Sequence, residues 1–404
     1  MTDHGSRPTH SPAEPRPLSG AATLADVMAA MERLYPTRLA EGWDAVGLVC
    51  GDPERSVRRI LVAVDPVAEV VDQALAWEAD LLITHHPLLL RGVHGVPATT
   101  PEGRVVMRLI EAGCALLCVH TNADSANPGV SDALAEAFGL RDLRPLQRVP
   151  ESEPTQVLVV YVPPSHVDAV LDAAAAAGAG QVGDYRRCAF VGPGEGTYDA
   201  PPEGRPFIGE PGERGTAREL RVEVLVPAGA AHRAVAAVLL AHPYDEPAYV
   251  LLGAEDVPRR TGIGRVGVLP ESVSLAGFAA AVAAGLPATE HGVRVAGDLG
   301  AAVSRVAVCG GAGDSLLADA DAADADVYVT ADLRHHRVQE HLAAGGCAVI
   351  DVAHWASEWP WCAQVAHLLP GALADVAPGA ADSVEVLVSE ESTDPWSARL
   401  PSAR

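Results

Sequence analysis

Short apolar runs of strand length alternate with stretches whose apolar positions recur at helical spacing. Arg59 to Val64 and Asp80 to Thr84 are continuous and apolar, as strands covered on both faces are. Val67 to Trp77 between them reads as a helix. The alternation continues with a helix at Arg104 to Ala112, a strand at Ala115 to Val119 and a helix at Ser131 to Phe138. Upstream, Thr23 is placed to cap a helix from Leu24 to about Leu34, and Trp43 to Leu48 forms a turn into a short strand.

From about Pro145 to Arg260 the texture changes. Val157 to Val162, Leu220 to Val226 and Ala248 to Leu252 read as strands, with helices at Ser165 to Ala177 and Ala230 to Ala241. The Gly- and Pro-rich run Gly192 to Gly215 reads as a long loop, and His242 to Pro247 as a polar knot at a helix-to-strand turn. After Arg260 the first texture returns. Strands are expected at Gly264 to Leu269, Val303 to Cys309, Asp326 to Thr330 and Ala348 to Asp351. Helices are expected at Leu275 to Ala284, Leu316 to Ala320, His335 to Ala344 and Trp361 to Leu369. The expected fold is therefore α/β: two similar halves with largely parallel sheets, residues 22–145 and 261–388, form one domain. Residues 146–260 form an inserted ferredoxin-like α+β module, and residues 1–21 and 389–404 are loose tails.

The chain has 404 residues, 49% of them hydrophobic, enough for more than one core. Its formal net charge of −24 offers no basic stripe, which excludes a nucleic-acid or anionic-membrane surface. Seven cysteines without a Cys-x-x-Cys pair read as buried thiols of a reducing compartment. No membrane-length apolar run occurs, and Met1 to Ser19 lacks the apolar stretch of a signal peptide. A cytoplasmic location is expected.

Candidate chemistry collects at strand ends, where ligands of parallel sheets gather. Leu81-Leu82-Ile83-Thr84 runs into His85-His86, and Pro87 stops the strand. His120-Thr121-Asn122-Ala123-Asp124, Asp332 to His336, and His354 to Glu358 stand at three further ends. Imidazole and carboxylate without thiolate suit zinc, manganese or ferrous iron. Three histidines with an aspartate and a glutamate exceed the needs of one tetrahedral ion and suit two ions bridged by a carboxylate. Pro360 is expected in the first turn of the last helix, with Ser357 as its N-cap. Gly310 to Ser315 follows a strand and opens a helix but lacks a phosphate-loop lysine, so it reads as a tight turn.

Ile83-Thr84-His85-His86-Pro87, His120-Thr121-Asn122-Ala123-Asp124 and Asp351-Val352-Ala353-His354-Trp355-Ala356-Ser357-Glu358 together resemble signature motifs of one family. It is the NGG-interacting-factor-three-like proteins, the GTP cyclohydrolase I type 2 homologues. Trp43-Asp44-Ala45-Val46-Gly47-Leu48, Gly262-Ile263-Gly264-Arg265 and Thr330-Ala331-Asp332-Leu333 resemble three further motifs, and the likeness covers about residues 24 to 385. It implies two divalent metal ions held by His85, His86, Asp124, His354 and Glu358, with Glu358 bridging. It also implies a toroidal homohexamer, and a PII/CutA-like insertion carrying Ala241 to Tyr249. Ala45 and Ala331 stand where the family usually has Asn and Gly.

The expected function is a metal-dependent hydrolase opening a purine-nucleotide ring, GTP foremost, or a similar cyclic amidine. His120, Asp332 and His336 are the candidates for proton transfer, and Arg265 and Arg334 for holding an anionic substrate. The competing expectations are a non-catalytic hexameric scaffold that binds metal, and a phosphoesterase at the same ions.

Overall fold

The computed structural model describes residues 21–148, 155–182, 185–253 and 260–400; the first tail falls almost wholly outside them. The chain divides into two compact units, Met1–Val149 with Arg260–Arg404, and Pro150–Arg259.

The first unit opens with α1 (Leu24–Leu34), β1 (Gly47–Cys50), β2 (Arg59–Ala63) and α2 (Ala68–Ala76). Next come β3 (Leu81–Thr84), α3 (Pro101–Ala112), β4 (Ala115–Cys118), α4 (Thr121–Ser125), α5 (Val130–Ala137) and β5 (Arg141–Arg148). The second unit holds β6 (Thr155–Val162), α6 (Val167–Ala176), β7 (Phe190–Asp199), β8 (Arg214–Pro227), α7 (Ala228–Ala241) and β9 (Tyr249–Gly253). The first unit resumes with β10 (Gly262–Ser274), α8 (Leu275–Gly285), β11 (Arg294–Ala296), β12 (Ala302–Ala312) and α9 (Leu317–Ala322). It ends with β13 (Val327–Ala331), α10 (His335–Ala343), β14 (Ala348–Val352), α11 (His354–Val376) and β15 (Glu385–Val388).

The first unit is mixed α/β with two sheets. One has the order β1-β4-β3-β2-β15 and is parallel except for β1. Its strands alternate between two cores. Ile60, Val62, Leu81, Ile83 and Leu117 face α1 and α11, while Leu61, Leu82 and Leu116 face α2 and α3. The other sheet has the order β11-β14-β13-β12-β10-β5. Only its β12-β13 and β13-β14 pairings are parallel, so the expectation of a largely parallel second sheet is corrected. The reason is local. The segment holding α8 and β11 returns the chain to the end at which β10 stops, pairing Ser274 with Ala302, so β12 runs back antiparallel, and β5 enters as an antiparallel edge.

The halves also exchange strands. β5 closes the first half yet pairs with β10, and β15 closes the second half yet pairs with β2. β5 escaped the sequence reading because Arg141-Asp142-Leu143-Arg144-Pro145 lacks apolar continuity. A sheet edge tolerates both its charges and its proline. Ser389, placed by the sequence in a loose tail, is buried instead. Its hydroxyl donates to Gln73 Oε1 at 2.6 Å, and its carbonyl accepts from the Trp359 indole at 2.9 Å.

The second unit runs β-α-β-β-α-β, with the fully antiparallel order β7-β8-β6-β9. A third of the expected long loop is β7, whose glycines and Pro193 are tolerated because it is an edge strand. Among the described residues no helix is long and apolar enough to cross a membrane.

Candidate metal centre

The centre is assembled from the ends of four parallel-paired strands of the first unit. Thr84 closes β3 with its hydroxyl donating to the His86 carbonyl at 3.0 Å, which tightens the chain there. The adjacent rings of His85 and His86 then converge, their centroids 5.1 Å apart. β4 delivers His120, and α4 carries Asp124 behind it. β13 delivers Asp332 in the left-handed region, at φ 57°. β14 delivers His354 as the first residue of α11, with Glu358 one turn on. The expected N-cap at Ser357 is therefore corrected: Ala353 caps the helix, and Pro360 lies inside it. A proline there removes one backbone hydrogen bond. The burial of Trp355, Ala356, Trp361 and Cys362 offsets that loss.

Every histidine of the cluster is fixed through Nδ1. His85 donates to the Val119 carbonyl at 3.0 Å and His86 to Asp65 at 2.7 Å. His120 donates to Asp44 at 2.8 Å and His354 to Asp332 at 2.7 Å. All four partners only accept, so each Nδ1 carries the hydrogen and each neutral ring presents a lone pair at Nε2. Those Nε2 atoms point at one another and at Glu358. Glu358 Oε1 lies 3.1 Å from His354 Nε2 and 3.5 Å from His85 Nε2, and its Oε2 lies 3.2 Å from His86 Nε2. Asp124 Oδ1 is 3.7 Å from His85 Nε2. His86 and His354 bring two Nε2 atoms within 3.3 Å, close enough to share a proton or to flank a metal ion.

The donor set fits a metal ion. His85 Nε2 and Glu358 Oε2 are buried without a hydrogen-bond partner, which is costly for polar atoms unless something else satisfies them. Two groups of candidate ligands, His85-His86-His120 and His86-His354-Glu358, each have their donor atoms within 4.8 Å of one another and share His86. Gly311 supplies the space. A Cβ there would collide with the Glu358 carboxylate, and its φ of 68° also favours glycine. This explains part of the glycine-rich turn that the sequence left as structural.

The electrostatics follow from one buried carboxylate among three rings. Burial disfavours charge on His86 and His354, yet Glu358 outweighs it and raises them to about 11 and about 9. His85 rises for the same reason, with Asp124 adding to the effect. Glu358 is held well below the ordinary range by the three rings despite its burial. Burial raises Asp124 to about 6, while burial and the neighbouring His85 lower His120. Raised histidines stabilise the fold below their unfolded pKa of about 6.5 and lose that contribution as pH climbs through the folded value. The melting temperature of chelator-treated protein is thus expected to fall from pH 7 to pH 10, most steeply below pH 9, where both rings hold their extra proton only in the fold. Metal loading should improve over the same interval, because ligand imidazoles must be neutral. A flat melting profile would contradict this electrostatic picture.

The other candidates are placed differently. Asp332 reaches the cluster only through His354 Nδ1. His336 is exposed on α10, its ring packed edge-on against His335. Arg334 is also exposed and pairs with Asp314. Arg265 is corrected as a substrate-holding residue. It is 1% exposed, and its guanidinium donates to Asp132 at 2.6 and 2.8 Å and to the carbonyls of Gly262, Gly264 and Ala126. No donor remains for an incoming anion.

The sequence reading missed Asp44 and Asp65. Asp65 follows β2 and precedes Pro66, the same strand-end signature as His86-Pro87. Asp44 also accepts from the Thr121 backbone at 3.0 Å, and the hydrogen bonds from His120 and Thr121 lower it despite burial. Trp43 stands 60% exposed beside it, edge-on to His120 at 6.1 Å.

A Mycobacterium tuberculosis protein named GTP cyclohydrolase 1 type 2 homolog is 50% identical over 373 residues, 92% of this chain and 96% of that protein. The crystal structure of a Bacillus cereus protein related to NIF3 matches with a TM-score of 0.64 at 32% identity, covering 94% of this chain and 99% of that one. A Staphylococcus aureus crystal structure matches with a TM-score of 0.69 at 26% identity, covering 95% and 100%. The model of the Duf34/NIF3 (NGG1p interacting factor 3) family matches residues 22–395, and the chain belongs to that family.

Proposed function

We propose that the centre holds two divalent ions and hydrolyses a cyclic amidine or amide-like bond, with the GTP purine ring as the substrate to test first. The observation that carries this reading is the set of four Nδ1-anchored imidazoles, three of them turned on one buried carboxylate. His85, His86, Asp124, His354 and Glu358 would be the ligands, with Glu358 between the ions. Ions there would supply an activated water and polarise a substrate oxygen. Asp65 and Asp332 orient His86 and His354, as carboxylates behind metal-binding histidines do. His120, kept neutral near pH 7 by burial, is suited to accept a proton. Trp43 at the rim offers a face for a planar base. GTP itself is suggested by the names of the relatives.

The β-α-β-β-α-β order supports a ferredoxin-like, PII/CutA-like reading of the second unit. A homohexamer and a cytoplasmic location complete the proposal. The seven free cysteines favour the latter, and light scattering tests the former.

Purified protein is expected to contain about two metal equivalents per chain, by the carboxylate-bridged logic of paired sites. It should release formate from GTP in a chelator-sensitive manner. Metal binding without turnover of GTP, other nucleotides or cyclic amides would reject the hydrolase. If chelation then altered only assembly or melting, the centre would be structural. Turnover of phosphoesters instead would keep the ions and replace the reaction.

A further inference from the structure

The second unit packs both of its helices on one sheet face, through Leu158, Val160, Val222 and Val224. On the opposite face, Gly194 and Gly196 of β7 lie beside Glu219 and Ala217 of β8. The glycines leave a floor without side chains, and a Cβ at Gly196 would run into the Glu219 carboxylate. Above this floor, residues 200–208 and the 243–248 turn enclose a cavity of about 1020 Å³, ample for a small metabolite.

The wall is braced by aromatic rings. Phe207 packs on His166 at 5.5 Å and on Tyr244 at 6.0 Å, and Tyr244 packs on His242 at 4.8 Å. His242 is fixed in turn, donating from Nε2 to the Tyr161 carbonyl at 2.9 Å. The polar knot His242 to Pro247 is thus one side of a cavity.

The cavity's chemistry is phenolic and acidic. Tyr161, Tyr198 and Tyr244 line it, and the Tyr198 hydroxyl is buried without a hydrogen-bond partner. The Tyr244 hydroxyl is equally buried and lies against the Glu219 carboxylate. Glu195, Asp199, Glu219, Asp245 and Glu246 contribute carboxylates, against Arg205 and Arg221. Arg221 is already paired with Glu223 at 2.8 Å, and Asp199 with Arg214 at 2.9 Å, which leaves Glu195, Glu219, Asp245 and Glu246 against Arg205. An anion would meet net repulsion here. A cation would meet carboxylates, an unpaired phenol oxygen and aromatic faces suited to cation–π contact.

We propose that this cavity binds a small organic cation, an amine or guanidinium on an apolar stem, at a site separate from the metal centre. All of its lining residues belong to the second unit, and every ligand of the metal centre belongs to the first.

Calorimetric titration of the full-length chain with spermidine tests it, at about 150 mM salt to screen diffuse attraction to the acidic surface. Saturable binding of one equivalent is expected, unchanged by chelator. Glu219→Gln should weaken it about tenfold or more, through loss of a charge-assisted hydrogen bond. Tyr198→Phe, which removes a single oxygen atom, should weaken it several-fold. Glu78→Gln, an exposed change in the first unit, should leave it as it is. The proposal is overturned if spermidine gives no saturable heat, or if its affinity is the same in Glu219→Gln and Tyr198→Phe. Binding of ATP in place of spermidine also overturns it. Because the heat of spermidine binding depends on neither bound metal nor formate release, failure of the hydrolase and failure of this site are distinguishable.

Discussion

Glu358→Gln protein is expected to emerge from purification nearly free of metal. Glu358 is 3% exposed and faces three imidazole Nε2 atoms within 3.5 Å. Glutamine keeps the shape but loses the charge, and one of its two oxygens becomes a nitrogen that cannot ligate. Losing an outer partner of a ligand histidine costs about 10–100-fold in metal affinity. Losing a shared ligand should cost more, so Asp65→Asn is the calibrating variant and Glu358→Gln should exceed it. A second readout needs no metal. The negative charge that raises His86 and His354 is gone, so the fall in melting temperature between pH 7 and pH 10 should flatten. Metal content equal to the parent's would remove Glu358 from the centre.

Arg265→Met is expected to give the largest loss of stability, about 3–5 kcal/mol, the typical cost of breaking a buried ion pair from one side. The substitution strands Asp132, itself 7% exposed. Asp132 cannot be exchanged freely, because it also accepts from the Gly129 backbone at 2.7 Å at the start of α5. The guanidinium additionally satisfies three backbone carbonyls that methionine would leave bare. All six tryptophans, at 43, 77, 355, 359, 361 and 396, belong to the first unit, so tryptophan fluorescence in urea follows that unit alone. A midpoint shift corresponding to less than about 1 kcal/mol, the worth of one ordinary hydrogen bond, would contradict the structural role of Arg265.

The sequence carried much of this, and for identifiable reasons. Apolar runs that end in histidine or aspartate mark strands whose ends face a site, and His85, His86, His120 and His354 were all legible that way. Ligand placement followed from local signals. Orientation did not, because Asp44 and Asp65 act on His120 and His86 across 76 and 21 positions. Arg265 misled because it is a cation within a family motif and an anionic substrate calls for one; only the buried Asp132, 133 positions away, reveals its use. β5 and β7 were hidden by charges, glycines and prolines, which an edge strand accepts and a central one does not. α11 starts three residues before the expected cap because packing, not propensity, sets its first turn.

The exchange of β5 and β15 constrains how the chain can be made. Until residues 385–388 leave the ribosome, the outer edge of β2 has no covering strand, and exposed edges of apolar strands recruit other chains. The sheet that carries His85 and His86 therefore closes only when the far end of the polypeptide is in hand. A nascent chain stalled before that point would hold three of the five candidate ligands, His85, His86 and Asp124, on a sheet still open to aggregation.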